Sequence, residues 1–262
     1  MKYGCCVCMV SKDFGGTGVG AAGMLKEIGY DYVELSLAHI MNLSDSEFED
    51  LRGQLTKAGI GCEVCHNFFP ASIRLTGPNV DMKKITDYVE KAFSRANRLG
   101  AEIVVFGSSG AKNVPDGFPI NNAWQQLVEM LRKIDPFARR FNITIAVEPI
   151  NTSESNIINS VREGLVLVKQ VNRKNIQLLV DYYHLTIANE SIGTIDDAKD
   201  YIKHIHFAEV TGRQFPKEMK DSYREFFGKL KSIGYNNRIS IEAFSNNLRE
   251  DAATALQILK SL

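Results

Sequence analysis

The stretch ANRLGAEIVVF, residues 96–106, decides the fold. A helical tail ends at Gly100, two residues follow, and an apolar run rich in β-branched residues begins at once. Glycine stops a helix because it enters the left-handed region without a Cβ clash, and the short hand-over is the αβ loop of a repeating α/β fold. The same phrase recurs as LKEIGYDYVEL at 25–35, LTKAGIGCEV at 55–64 and LKSIGYNNRISI at 230–241. Working outward from these four copies, apolar runs alternate with longer amphipathic segments eight times over. The periodicity predicts strands at 3–9, 31–35, 61–65, 102–106, 143–148, 175–181, 203–208 and 238–242. It predicts helices over 16–29, 44–59, 81–100, 118–141, 159–172, 183–190 with 195–201, 217–232 and 246–261. Ser44, Asn79 or Asp81, and Asn159 or Ser160 are the expected helix caps.

Near-continuous apolar strands separated by helices indicate a parallel sheet covered on both faces. Eight such units close into a (β/α)8 TIM barrel, and 262 residues match the ~250 typical of that fold. A doubly wound open sheet is the alternative, and it calls for a glycine-rich phosphate turn after an early strand. DFGGTGVGAAG at 13–23 carries Gly16, Gly18 and Gly20 but not the G-x-G-x-x-G spacing, and it reads as a loop leading into a helix. No linker or composition shift divides residues 1–262, so a single domain is expected. The long segments 66–80 and 107–117 fall on the side of the barrel where substrates bind.

Thirty-one basic residues balance 31 acidic ones, and no basic stretch forms a nucleic-acid footprint. No apolar run is long enough to span a membrane. The opening MKYGCCVCMV lacks the layout of a signal peptide and reads as a first strand. The five cysteines, Cys5, Cys6, Cys8, Cys62 and Cys65, fall in predicted strands. Their odd count, without disulfide-like spacing, points to reduced thiols packed as small core residues in a cytoplasmic protein. Cys62-x-x-Cys65 has no second pair to complete a zinc site, and residues three apart on a strand should face opposite ways.

Four apolar runs end alike. ITIAVEP ends at Glu148, NIQLLVD at Asp181, IKHIHFAE carries His206, and RISIEAF carries Glu242. In a barrel these C-terminal strand ends meet at one mouth. Three carboxylates and an imidazole suit one divalent cation with open positions. Glu34, ending DYVEL, faces the same rim as a group behind the site or a substrate contact. His66 ends the third strand and should line the pocket rather than bind metal; Asn67 follows it. His204 shares a face with His206 one layer deeper, as a satisfied core histidine. Phe68 and Phe69 offer an apolar wall.

Three further segments carry a resemblance: VEPINTSES at 147–155, VDYYHLTIANE at 180–190 and HIHFAEVTGR at 204–213, closed by IEAF at 241–244. Together they resemble the sugar phosphate isomerase/epimerase superfamily, xylose isomerase-like TIM barrels that include D-tagatose 3-epimerases, hydroxypyruvate isomerases, inosose dehydratases and endonuclease IV. The resemblance implies one divalent metal, manganese first and magnesium, cobalt or zinc otherwise, on Glu148, Asp181, His206 and Glu242. It implies Glu148 and Glu242 as paired acid/bases, His184 on a substrate oxygen, Arg213 at the sugar end near the carbonyl, and Glu154 orienting the substrate. It further implies a role in carbohydrate metabolism and barrels that pair into homodimers or homotetramers.

The chemistry agrees with those residue types. Epimerisation beside a carbonyl removes a proton from carbon on one face and returns it on the other, so two carboxylates are needed. A cation holds the enediolate charge. A dehydratase of the inosose dehydratase kind begins with the same abstraction. A nuclease of the endonuclease IV type needs more histidine ligands than the five present, and the fourth strand ends in Phe106-Gly107 without one. A metal-free binding protein has no use for two such carboxylates. Scattered cations (Arg74, Lys112, Arg213) favour an unphosphorylated sugar.

Overall fold

A computed structural model describes residues 1–13 and 16–262; Phe14 and Gly15 of the glycine-rich stretch lie outside it. Strands β1 (Lys2–Cys6), β2 (Tyr32–Ser36), β3 (Gly61–His66), β4 (Ile103–Phe106), β5 (Thr144–Val147), β6 (Ile176–Asp181), β7 (Ile202–Phe207) and β8 (Arg238–Ile241) pair in order. All pairs are parallel, and β8 returns to β1, so the sheet is a closed barrel. That closure excludes the doubly wound open sheet. The larger helices are α1 (Ala22–Ile28), α3 (Asp45–Ala58), α4 (Met82–Leu99), α6 (Ile120–Arg140), α7 (Val161–Val171), α10 (Asp221–Ser232) and α11 (Leu248–Ser261). Four short ones are α2 (Leu37–Met41), α5 (Ser109–Lys112), α8 (Tyr182–Ile187) and α9 (Thr194–Ala198), and a 3-10 turn at Val19–Ala21 leads into α1. Among the described residues no helix is long and apolar enough to cross a membrane.

The glycine phrase works as read. Gly59 and Gly100 follow α3 and α4 with φ of 65° and 88°, and their N–H groups bond back to the last turn. Ser44 and Glu47 form a reciprocal capping box at the start of α3. Asp81, rather than Asn79, caps α4, and Ser160, rather than Asn159, caps α7.

Two layers of apolar side chains hold the barrel. Tyr32, Val64, Ile103, Val105, Ala146 and Leu179 fill its interior. Strand faces and helices share the larger outer layer, which includes Cys5, Cys62 and Cys65. The register between β2 and β3 jumps from Val33 opposite Cys62 to Glu34 opposite Val64. This bulge absorbs Glu63 and resets the alternation. Cys62 and Cys65 therefore face the same way, with sulfurs 3.8 Å apart, contrary to the expectation of opposite faces.

Differences from the predicted elements cluster at the mouth. β1 stops at Cys6, and a 3-10 helix runs over Cys8–Asp13, so the predicted strand 3–9 is too long. Cys8 leaves the strand as a result, while Cys6 stays buried at its end. The predicted helix 16–29 shortens to the 3-10 turn and α1. α2 and α5 were not expected; five and four residues carry too little periodicity to be read. Segments 66–80 and 107–117 lie against each other: Leu75 N–H donates to Ala111 O at 3.0 Å and Thr76 Oγ1 to Lys112 O at 3.0 Å.

Candidate active site

Four successive strands each deliver one side chain to the mouth. Glu148 follows β5, Asp181 ends β6, His206 lies in β7 and Glu242 follows β8. One ligand atom from each lies within 4.8 Å of the others. His206 Nδ1 is 3.0 Å from Glu148 Oε1 and 3.2 Å from Glu242 Oε2. Asp181 Oδ1 accepts from Tyr183 N–H at 2.7 Å, while its Oδ2 is buried without a hydrogen-bond partner. A buried, unpartnered carboxylate oxygen is costly unless a cation or donor completes it. Backbone space is also reserved: a Cβ on Gly107 would stand 2.2 Å from Glu148 Oε2. The donor set, the orphaned oxygen and the glycine all fit a divalent cation bound between these four residues.

The charges are mutually set. Burial alone would lower the His206 pKa, but Glu34, Glu242 and Glu148 outweigh it and hold the imidazolium well above its ordinary range. Burial would raise Glu242, yet Arg213 and His206 keep it well below the usual carboxylate range. Glu148 likewise falls, against burial, because of His206. For Asp181 burial wins over His184 and Arg213, and its pKa rises. In effect a proton on His206 occupies the centre that a cation would take.

Glu34 sits beneath this group with 0% exposure and does not line the cavity. Its Oε1 is 2.9 Å from His206 Nε2 and its Oε2 3.0 Å from His204 Nε2. Once a cation displaces the Nδ1 proton, Glu34 accepting from Nε2–H would leave His206 Nδ1 as the lone pair offered to it. Glu34 thus stands behind the site rather than at a substrate. His204 is fully buried and closes its other side on Arg238 O at 3.2 Å.

The remaining predicted residues line one cavity of about 570 Å³ that also reaches Glu148 and Glu242: His66, Glu154, His184 and Arg213. His184 Nδ1 is 2.8 Å from Asn151 Nδ2, which also donates to Glu154 Oε1 at 3.1 Å. Arg213 Nη2 is 2.6 Å from Glu242 Oε2 and 3.5 Å from Asp181 Oδ2. Its guanidinium carbon lies 4.8 Å over the Tyr183 ring. The Arg213 carbonyl accepts from Phe244 N–H at 2.8 Å, so the strand that carries Glu242 also holds this loop. Arg213 has φ of 48°, a strained value for a non-glycine residue next to a functional group. Phe69 lines the cavity, whereas Phe68 packs behind it with its ring 5.1 Å from that of Phe93.

Some wall residues escaped sequence reading. His39 and Asn42 arrive on and just after α2, Ser109 and Gly110 on α5, and Cys8 on the turn after β1. All ride on short elements without periodic signal. The one available hint is Ser36, whose side chain accepts from His39 N and starts α2.

Residues 23–262 match the profile of the xylose isomerase-like TIM barrel family. The chain belongs to that family. Among curated proteins it is 26% identical over 225 residues to the D-psicose 3-epimerase of Ruminiclostridium cellulolyticum, covering 83% of this chain and 75% of the relative. It is 27% identical over 241 residues to the L-ribulose 3-epimerase of a Methylomonas species, covering 87% and 81%. A solved structure of D-psicose 3-epimerase with D-tagatose from Clostridium cellulolyticum superimposes with a TM-score of 0.88 over 100% of this chain and 99% of the other, at 21% identity.

Proposed function

We propose that this protein is a divalent-metal-dependent ketose 3-epimerase acting on a free sugar. The observation that carries the reading is the pair Glu148 and Glu242. Each places one carboxylate oxygen on His206 Nδ1, and each also lines the cavity. A bound divalent ion would polarise the carbonyl and hold the enediolate charge. Manganese is our choice, since three carboxylates with one imidazole suit a hard, oxygen-preferring ion.

The chain's own groups divide the work. Glu242, kept ionised by Arg213, removes the C3 proton from one face, and Glu148, after taking a proton from solvent, delivers it on the other; in the reverse direction the roles exchange. His184 and Arg213 bind sugar oxygens on either side of the reacting carbon, and Glu154 orients Arg213 across 3.4 Å. Phe69 gives the sugar an apolar wall. The 66–80 and 107–117 segments close over it and limit water at the enediolate. His66 would bind the sugar's far end. The same site could begin a dehydration, but the relatives' names favour epimerisation. The five free thiols, with Cys62 and Cys65 unbonded at 3.8 Å, support a cytoplasmic setting. Pairing into a homodimer or homotetramer is part of the same reading.

The test is a panel of D-psicose, D-fructose, D-tagatose and L-ribulose with manganese-loaded protein, followed by chromatography. Interconversion of one C3-epimeric pair is expected. Growth of enone absorbance without epimer would overturn the epimerase reading in favour of dehydration.

A further inference from the structure

A second group of ligand-bearing side chains stands against the first and shares Glu242 with it. Cys6 closes β1, Cys8 opens the following turn, His66 closes β3, and Glu242 follows β8. One ligand atom from each lies within 4.8 Å of the others. Cys6 Sγ is 3.5 Å from Cys8 Sγ, 3.7 Å from His66 Nε2 and 3.9 Å from Glu242 Oε1. These three distances from Cys6 are close to the edges of a small tetrahedron, and the other three pairs lie within 4.8 Å. Bonds of about 2.3 Å to sulfur and about 2.0–2.1 Å to nitrogen or oxygen give edges of roughly 3.4–3.8 Å. Ordinary thiol packing does not require two sulfurs, an imidazole and a carboxylate to converge at that spacing.

The surroundings prepare the imidazole as well. His66 Nδ1 lies 3.5 Å from Glu34 Oε1 and 3.4 Å from Cys6 Sγ, so either ring nitrogen can meet an ion while Glu34 holds the imidazole from its other side. Glu34 therefore stands behind both His66 and His206. Cys6 is fully buried, whereas Cys8 lines the cavity and gives an ion a path in from solvent.

We infer that Cys6, Cys8, His66 and Glu242 Oε1 form a second metal site, selective for a thiophilic divalent ion such as zinc. Two thiolates and an imidazole prefer such an ion to manganese or magnesium. Each thiol gives up its proton to solvent when it coordinates, and no redox step is involved. Glu242 is the shared group: Oε2 faces His206 and Arg213, and Oε1 faces the sulfurs. An ion held on Oε1 ties down the carboxylate that the epimerase reading uses as a base. Zinc at this site is thus an inhibitor of proton transfer; this consequence, unlike the site itself, rests on that reading.

Cobalt(II) is the probe, because thiolate–cobalt charge transfer in the near ultraviolet reports sulfur ligation directly. Titration of the full-length protein is expected to bind two cobalt ions per chain, one of which develops the thiolate band and is displaced by zinc. Cys8→Ser should lose the band and one equivalent. Asp181→Asn should keep the band and lose the other equivalent, which separates this site from the oxygen-rich one. In unmutated protein, zinc should slow iodoacetamide modification of Cys8 at least tenfold, mapped by mass spectrometry. Absence of a thiolate band at saturating cobalt, its persistence in Cys8→Ser, or modification of Cys8 at an unchanged rate with zinc would each overturn the assignment.

Discussion

Gly107→Ala isolates the placement of Glu148 from everything else about it. The added Cβ would stand 2.2 Å from Glu148 Oε2, 3.3 Å from Glu148 Cδ and 3.3 Å from Ile150 Cδ1, whose methyl gives by a few tenths of an ångström. Real Cβ contacts essentially never fall below 3.0 Å, so the carboxylate must move by at least 3.0 − 2.2 = 0.8 Å. Gly107 is not among the positive-φ glycines, so alanine strains no backbone there. The clash is with the far end of a flexible side chain, so it is relieved by displacing Glu148 rather than by unfolding the strand. Misplacement of a reacting group by about 1 Å costs about 10²-fold in rate, equivalent to about 2.7 kcal/mol. The assay compares kcat on the active ketose, manganese affinity by paramagnetic resonance, and the thermal midpoint. We expect kcat down about 10²-fold, weaker manganese binding, and a midpoint within a few degrees of the parent. Parental kcat with unchanged manganese affinity would refute the tight placement of Glu148 that the mechanism requires.

Four further outcomes are expected. Glu148→Gln and Glu242→Gln should each lower kcat by at least about 10²-fold, the scale of a general acid–base contribution; near-parental turnover in either would end the two-base scheme. Exhaustive chelation should abolish epimerisation and manganese should restore it, read by chromatography. Glu34→Gln should weaken manganese binding about 10–100-fold, because it loosens the imidazole of His206 without touching the cavity; an unchanged isotherm would mean that Glu34 only fills space. At the barrel floor Lys2 and Arg238 lower the pKa of Glu63 against its partial burial. A depressed carboxylate stabilises above its unfolded pKa and loses that contribution as pH falls through the folded value. Glu63→Gln should therefore cost less than about 1 kcal/mol at pH 7, with solvent screening, and progressively less as pH falls through the folded carboxylate's titration, as followed by denaturant melts.

The barrel was legible because its determinants are local. Glycines at 29, 59, 100 and 234 stop helices through their own conformational freedom, and apolar runs identify the strands whichever neighbour they pair with. The quartet at the mouth was legible for a related reason: residues at equivalent strand ends must converge once the barrel closes. Depth was harder. Glu34 looks like a rim residue by its position in DYVEL, but it lies below His206 because neighbouring strands are staggered, and stagger is a property of pairing. Cys62 and Cys65 were assigned opposite faces by strict alternation, and a bulge at Glu63 undid that count. Cys8 reads as a core thiol in a strand that ends sooner than its apolar pattern does. Each miss arises where register or termination is set by a partner strand rather than by the segment itself.

The account turns on removal of one carbon-bound proton and its replacement from the opposite face. Proton resonance of a ketose incubated with the manganese-loaded protein in deuterated water tests it most directly. The prediction is one solvent deuterium at C3 of the epimerised product and none at other carbons. Epimer that retains its original C3 proton, or deuterium appearing at C1 instead, would contradict it.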